Sequence, residues 1–280
     1  MKRLFYYSAA ILFCLFFTAC NAARPDQTAF SPEDFSLSQG QSITVDINDG
    51  AADITQAQNQ AVQISGTLSN SKVMPYQATL EADGLHIIES NGGTTLFQAE
   101  AAPAHLNLQV PAGIFMKITS YAAAIAVHDY SGSINISSVA GDISVNHVSG
   151  PLSLISNRGN ISVENSKGEF HLDGNYGQLS LLNSSGVIHA TTIVGTISFR
   201  GKIAGGDNVS LETDHGAIGI QAGDDSNASV QINTTSGVVV CSMTGVYYEG
   251  QKCGGSLGSG QGKLQVRTVS GTVTLEPISH

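Results

Sequence analysis

Tryptophan is absent from this chain, and charged residues make up only 12% of its 280 residues. Bases are scarcer than acids, 12 Lys and Arg against 22 Asp and Glu, so the formal net charge is −10. A surface of that sign repels nucleic acid and anionic lipid headgroups, which excludes both as expected partners. Few aromatics leave few platforms for sugars. The clustered Asp residues that a carbohydrate-processing β-helix needs in its groove are also missing from the sequence. No stretch after the first 20 residues carries a helical period, so helix bundles and α/β folds are excluded.

Residues 1–19 read as a signal peptide. Lys2 and Arg3 open it, and the apolar run Leu4 to Phe17 is shorter than the roughly 20 residues that span a bilayer. Phe17-Thr18-Ala19-Cys20 resembles a bacterial lipobox, with Phe17 where Leu is usual. The expectation is cleavage before Cys20 and acylation of its sulfur by palmitate-type chains. Each buried CH₂ of such a chain contributes about 0.8 kcal/mol of membrane affinity. Cleavage removes two bases and no acid, so the formal charge falls to −12. Asn21 follows the cysteine in place of the Asp typical of inner-membrane retention. This favours the outer membrane or outer surface of the cell envelope.

There are four cysteines. Cys14 leaves with the signal and Cys20 is assigned to lipid. Cys241 and Cys253 remain, an even pair in an oxidising compartment, and a disulfide is expected. Closing such a loop stabilises a fold by roughly 3 kcal/mol in the chain-entropy model. Two sulfurs with no nearby His make a poor zinc site.

The dominant feature is a period. Gly132, Gly141, Gly150, Gly159, Gly168, Gly177, Gly186 and Gly195 stand nine residues apart, each opening Gly-x-Φ-x-Φ, where Φ is apolar. A fixed period marks a repeat architecture. A second period of eighteen lies beneath it. Ser144, Ser162, Ser180 and Ser198 recur at that spacing, as do Asn157 and Asn175, Asn165 and Asn183, and His171 and His189. The expected fold is all-β, a parallel β-solenoid of about 18 residues per coil in two nine-residue sides, with right-handed winding favoured. Strand alternation assigns the inner walls. One is Ile125/Val127, Ile143/Val145, Ile161/Val163, Leu179/Leu181 and Ile197/Phe199. The other is Met116/Ile118, Ile134/Ile136, Leu152/Leu154, Phe170/Leu172 and Ile188/Ala190. Glycine at the corners is expected to supply backbone conformations that other residues resist. Residues 20–39 read as a polar tether and 40–280 as one domain. A Gly-rich, Cys-containing loop at 242–263 is expected to protrude from it.

Val110-Pro111-Ala112-Gly113, then Ser131-Gly132-Ser-Ile-Asn-Ile and Ala140-Gly141-Asp-Ile-Ser-Val, with the Ser-Gly step again at Ser149, Ser185, Ser236 and Ser270, resemble the bacterial putative-adhesin domain family. The resemblance covers most of residues 40–275. It implies a β-solenoid and brings no catalytic residues. The function it implies is a non-enzymatic surface lipoprotein engaged in adhesion or envelope interactions. A carbohydrate-active β-helix enzyme and an envelope-stress or assembly scaffold are the alternatives. The expected partners are the membrane, through the lipid anchor, and a protein or glycan at the surface.

Calcium-binding rolls repeat Gly-Gly-x-Gly-x-Asp-x-Φ-x, and here the repeating positions hold Ser, Asn and Gly, so no bound calcium or other cofactor is expected. Glu169, His171 and Asp173 alternate outward on one strand, with His189 expected beside His171. These are the residue types that hold zinc, although a solvated polar face explains them as well. In the 242–263 loop, Tyr247 and Tyr248 are the candidate contact residues. Tyrosine combines a large apolar area with a polar tip.

Overall fold

The computed structural model describes residues 27–69, 76–89 and 102–278. Among them lie 25 strands in two sheets, of twelve and thirteen strands, and no helix. The signal segment and Cys20 lie outside the described residues.

From Phe115 to Gly201, successive strands alternate between the two sheets. Each pairs in parallel with the next strand but one. In one sheet Met116, Ile134, Leu152, Phe170 and Ile188 are register partners in turn. In the other the series is Ile125, Ile143, Ile161, Leu179 and Ile197. Every step is eighteen residues, the longer period of the sequence. All the expected wall residues are buried, and they join one core that runs the length of both sheets. Burying each such side chain stabilises by about 1.5–3 kcal/mol relative to exposure. Ser144, Ser162, Ser180 and Ser198 pair side by side on the outward face, as expected.

The glycine period has a different cause from the one expected. Of the eight glycines only Gly150 and Gly186 have left-handed φ, 133° and 115°. The shared constraint is close approach. A Cβ on Gly159 would come well under 3.0 Å from the carbonyl oxygen of Gly141. The same holds for Gly177 over Gly159 and Gly168 over Gly150. Two columns of glycine therefore stack backbone on backbone. The left-handed corners belong instead to Asp129, His147, Asn165 and Asn183, eighteen residues apart with φ between 49° and 54°. Asp, Asn and His are the side chains that tolerate this region best.

The opposite corner is closed by buried hydroxyls that the sequence reading missed. Ser138 and Ser156 Oγ accept the backbone N–H of Gly141 and Gly159 at 2.9 Å. Ser120 Oγ donates to the Ala123 carbonyl at the same distance. Each bond satisfies a backbone group that the turn would otherwise bury unpaired.

Chain order breaks at both ends of the stack. Ser42–Ile47 lies between Gly84–Glu89 and Phe115–Ser120, and Ala51–Gln56 lies between Ala102–Val110 and Ala124–His128. At the other end Gly262–Ser270 inserts between Asn208–His215 and Ala228–Thr234. Thr272–Pro277 inserts between Ile218–Ala222 and Val238–Cys241. Antiparallel strands close both ends. Gln27–Ser36 pairs with Ala61–Ser69. The segment read as a tether thus contains an edge strand, whose Phe35 packs against the core.

The 242–263 segment is not a protrusion. Val246–Glu249 and Lys252–Leu257 form a hairpin that extends one sheet beyond Ala228–Thr234, and the segment's last residues begin the inserted strand. Gly255 has φ 146°, and a Cβ there would fall well under 3.0 Å from the Gly245 carbonyl oxygen, so no other residue fits.

Candidate interaction surfaces

The hairpin and the disulfide build one end of the molecule. Cys241 closes Val238–Cys241 in one sheet, and Cys253 belongs to Lys252–Leu257 in the other. Their Cα atoms are 6.7 Å apart and the bond joins the two sheets. Cys253 is buried and Cys241 packs against the core. The cross-link therefore ties the cap across the end of the core. Tyr247 and Tyr248 on the hairpin are 66% and 58% exposed, among the most open large side chains described. A shallow cavity of about 360 Å³ adjoins the cap, lined by Asp224, Ser242, Met243, Thr244, Leu257, Gly258 and Pro277.

The outward strand Lys167–Gly174 places His171 directly beside His189. Glu169 instead pairs with Val187, and Asp173 accepts a hydrogen bond from Thr191 Oγ1 at 3.3 Å. The four do not form a compact ligand set. Among the described residues, three ligand atoms come within 4.8 Å of one another at Glu81, Asp83 and His86. This trio went unnoticed in the sequence. It sits at the turn between Tyr76–Leu80 and Gly84–Glu89. His86 Nε2 lies 3.0 Å from Asp83 Oδ1. That bond lowers the Asp83 carboxyl and raises the His86 imidazole from their usual pKa values. Such exposed pairs contribute little to stability.

Tyr130 and Asp207, both buried, bond to the backbone. Tyr130 donates its hydroxyl to the Ile114 carbonyl and, at 3.3 Å, to that of Pro111. Burial pushes its pKa to about 12 despite the Ile114 bond. Tyr76 is pushed to about 12 by burial and the nearby Glu33 carboxylate. Asp207 accepts from the N–H groups of Gly186 and Ala204, at 2.9 and 2.7 Å, and so holds a turn.

No family model matches the chain. No curated protein matches it either. Among solved structures, a putative adhesin from Bacteroides fragilis is similar at 13% identity and a TM-score of 0.45, covering 90% of this chain and 98% of that one. A putative lipid binding protein from Parabacteroides distasonis is similar at 9% identity and 0.40, covering 87% and 96%. A putative cell adhesion protein from Clostridium sporogenes is similar at 12% identity and 0.31, covering 89% and 99%.

Proposed function

We propose that this chain is a non-enzymatic lipoprotein of the cell envelope that presents the outside of a β-solenoid to a partner. The eighteen-residue offset between paired strands, repeated in both sheets, supports the solenoid. Its winding is taken as right-handed, the hand that crossovers between parallel strands adopt. The single observation that carries the functional reading is the filled core. The inward positions of the repeating strands are apolar apart from buried strand-end residues such as Ser120, Ser138, Ser156 and Thr192, whose hydroxyls face the turns, so chemistry is left to the outer faces and the capped end. Perturbed titrating groups in a cleft are the usual mark of an active site. Among the described residues, the buried groups with raised pKa are tyrosines packed into the fold.

The lipobox-like Phe17-Thr18-Ala19-Cys20 and Asn21 support acylation at Cys20 and placement at the outer membrane or outer surface. Tyr247 and Tyr248 are the contact residues of the cross-linked end. The test has two arms. Cys20→Ala is expected to move the protein from the membrane to the soluble fraction, and unchanged partitioning with no lipid detected by mass spectrometry overturns the anchor. Tyr247→Ala with Tyr248→Ala is expected to weaken binding to envelope extract. Intact binding by that folded variant removes the hairpin as the contact.

A further inference from the structure

The two corners that join the sheets differ in chemistry. One carries the left-handed Asp129, His147, Asn165 and Asn183 and is polar. The other follows the buried Ser120, Ser138 and Ser156 and is largely apolar. Backbone bonds fix its columns. The N–H groups of Ala140, Arg158, Tyr176 and Val194 donate to the carbonyls of Tyr121, Val139, Asn157 and Asn175 at 2.7 to 3.1 Å. Tyr121, Val139, Tyr176, Ile193 and Val194 are all exposed there, the two tyrosines at 62% and 65%. They are five of the thirteen exposed large hydrophobics of the described residues, and they fall in two adjacent columns of this corner, Tyr121, Val139 and Ile193 in one and Tyr176 and Val194 in the other. Beside Tyr176, and separated from Tyr121 by Val139, Asn175 Nδ2 donates to Asn157 Oδ1 at 2.8 Å. This bond holds both amide planes and leaves the Asn157 nitrogen and the Asn175 oxygen with further hydrogen-bonding capacity.

The geometry points to this corner as a binding site for a neutral, extended polysaccharide lying along the stack. The inference rests on the surface-module reading above and names its ligand class. Aromatic faces beside fixed amides match a sugar, which has an apolar ring face and hydroxyls at its rim. Strands stack at about 4.8 Å, close to the length of one pyranose, so successive sugars can meet successive coils. Tyr121 and Tyr176 lie three coils apart, about 14 Å at that spacing. The net charge of −10 selects a neutral chain over an anionic one. It also opposes a second copy of the same charge. A corner two residues wide falls short of the roughly 800 Å² per partner of a stable protein interface. A lipid surface is disfavoured because Arg158 and the amide pair interrupt the apolar line.

The test is affinity electrophoresis of the full chain carrying Cys20→Ala, in gels cast with mixed-linkage β-glucan, galactomannan or polygalacturonate. The expected result is retardation by at least one neutral polymer and none by polygalacturonate. Tyr121→Ala with Tyr176→Ala should weaken it at least tenfold, while Tyr121→Phe with Tyr176→Phe retains it. No retardation by either neutral polymer, or full retardation of the Tyr121/Tyr176 alanine variant, overturns the inference. So does dimerisation by light scattering, or binding to neutral phosphatidylcholine vesicles, that the same variant abolishes. Binding to intact cells is measured in parallel. A protein that binds cells but neither neutral polymer loses only this inference, whereas one that binds neither cells nor envelope extract loses the surface-module reading itself.

Discussion

Gly159 sits directly over Gly141, eighteen residues before it, so close that a Cβ at Gly159 would fall well under 3.0 Å from the Gly141 carbonyl oxygen. No rotation of a side chain relieves that contact, because both partners are backbone. Gly206 is the contrast, with no atom within 4 Å of its Cβ position and no left-handed φ. Gly159→Ala is expected to destabilise by several kcal/mol, within the range of about 1–3 or more seen for overpacking. Gly206→Ala should be neutral or stabilising by about 0.4–1 kcal/mol through the unfolded chain. Urea denaturation of the two variants checks this, and equal midpoints would contradict the close-packed glycine column.

Ile161 is fully buried and its neighbour Ser162 is half-exposed on the outward ladder. Ile161→Asp puts an unpaired charge in the core and should cost several kcal/mol or prevent folding. Ser162→Asp should change stability by less than about 0.5 kcal/mol, as is usual at the surface. Thermal unfolding separates them, and the reverse ranking would place the wrong residue inside.

The terminal insertion makes the C-terminus structural. Gly262–Ser270 and Thr272–Pro277 are the strands that link Ala228–Thr234 and Val238–Cys241 to the rest of the two sheets. Removing residues 262–280 should abolish hydrogen-exchange protection from Ala228 onward. The strands between Phe115 and Gly201 should keep theirs, because each pairs only with its immediate neighbours in its own sheet. Retained protection in Ala228–Thr234 would show that the inserted strands are dispensable.

Much of this architecture was legible in the sequence. The eighteen-residue recurrence of Ser144, Ser162, Ser180 and Ser198 is the strand register itself, and alternation placed Ile161 and Val163 in the core. The cause of the glycine period was not legible, since close approach and left-handed φ both select glycine. Neither were the ends. There the repeat loosens, and local pattern carries no record that Gly262–Ser270 precedes Ala228–Thr234 in the sheet order. The apolar corner escaped for another reason. Tyr121 and Tyr176 are not eighteen-residue equivalents, and they fall into line only when adjacent turn positions are stacked.

Tyr130 makes stability depend on alkaline pH. Its folded pKa, near 12, stands above the ordinary value of 10.0. The unfolded state therefore loses its proton first, so the contribution is complete below pH 10 and is lost as pH rises toward 12. Tyr76 titrates in the same direction. Unfolding free energy should fall between pH 10 and 12, with a shallower slope in Tyr130→Phe. An unchanged slope would mean that Tyr130 is not the buried group responsible.

On the function proposed above, the surface binds a partner and carries out no reaction. The most direct test of this claim measures binding and turnover together, with the full chain carrying Cys20→Ala incubated with envelope extract and its polysaccharides. The expected result is saturable binding with no release of new reducing ends or shortened chains. Chain cleavage that scales with protein concentration would contradict the claim.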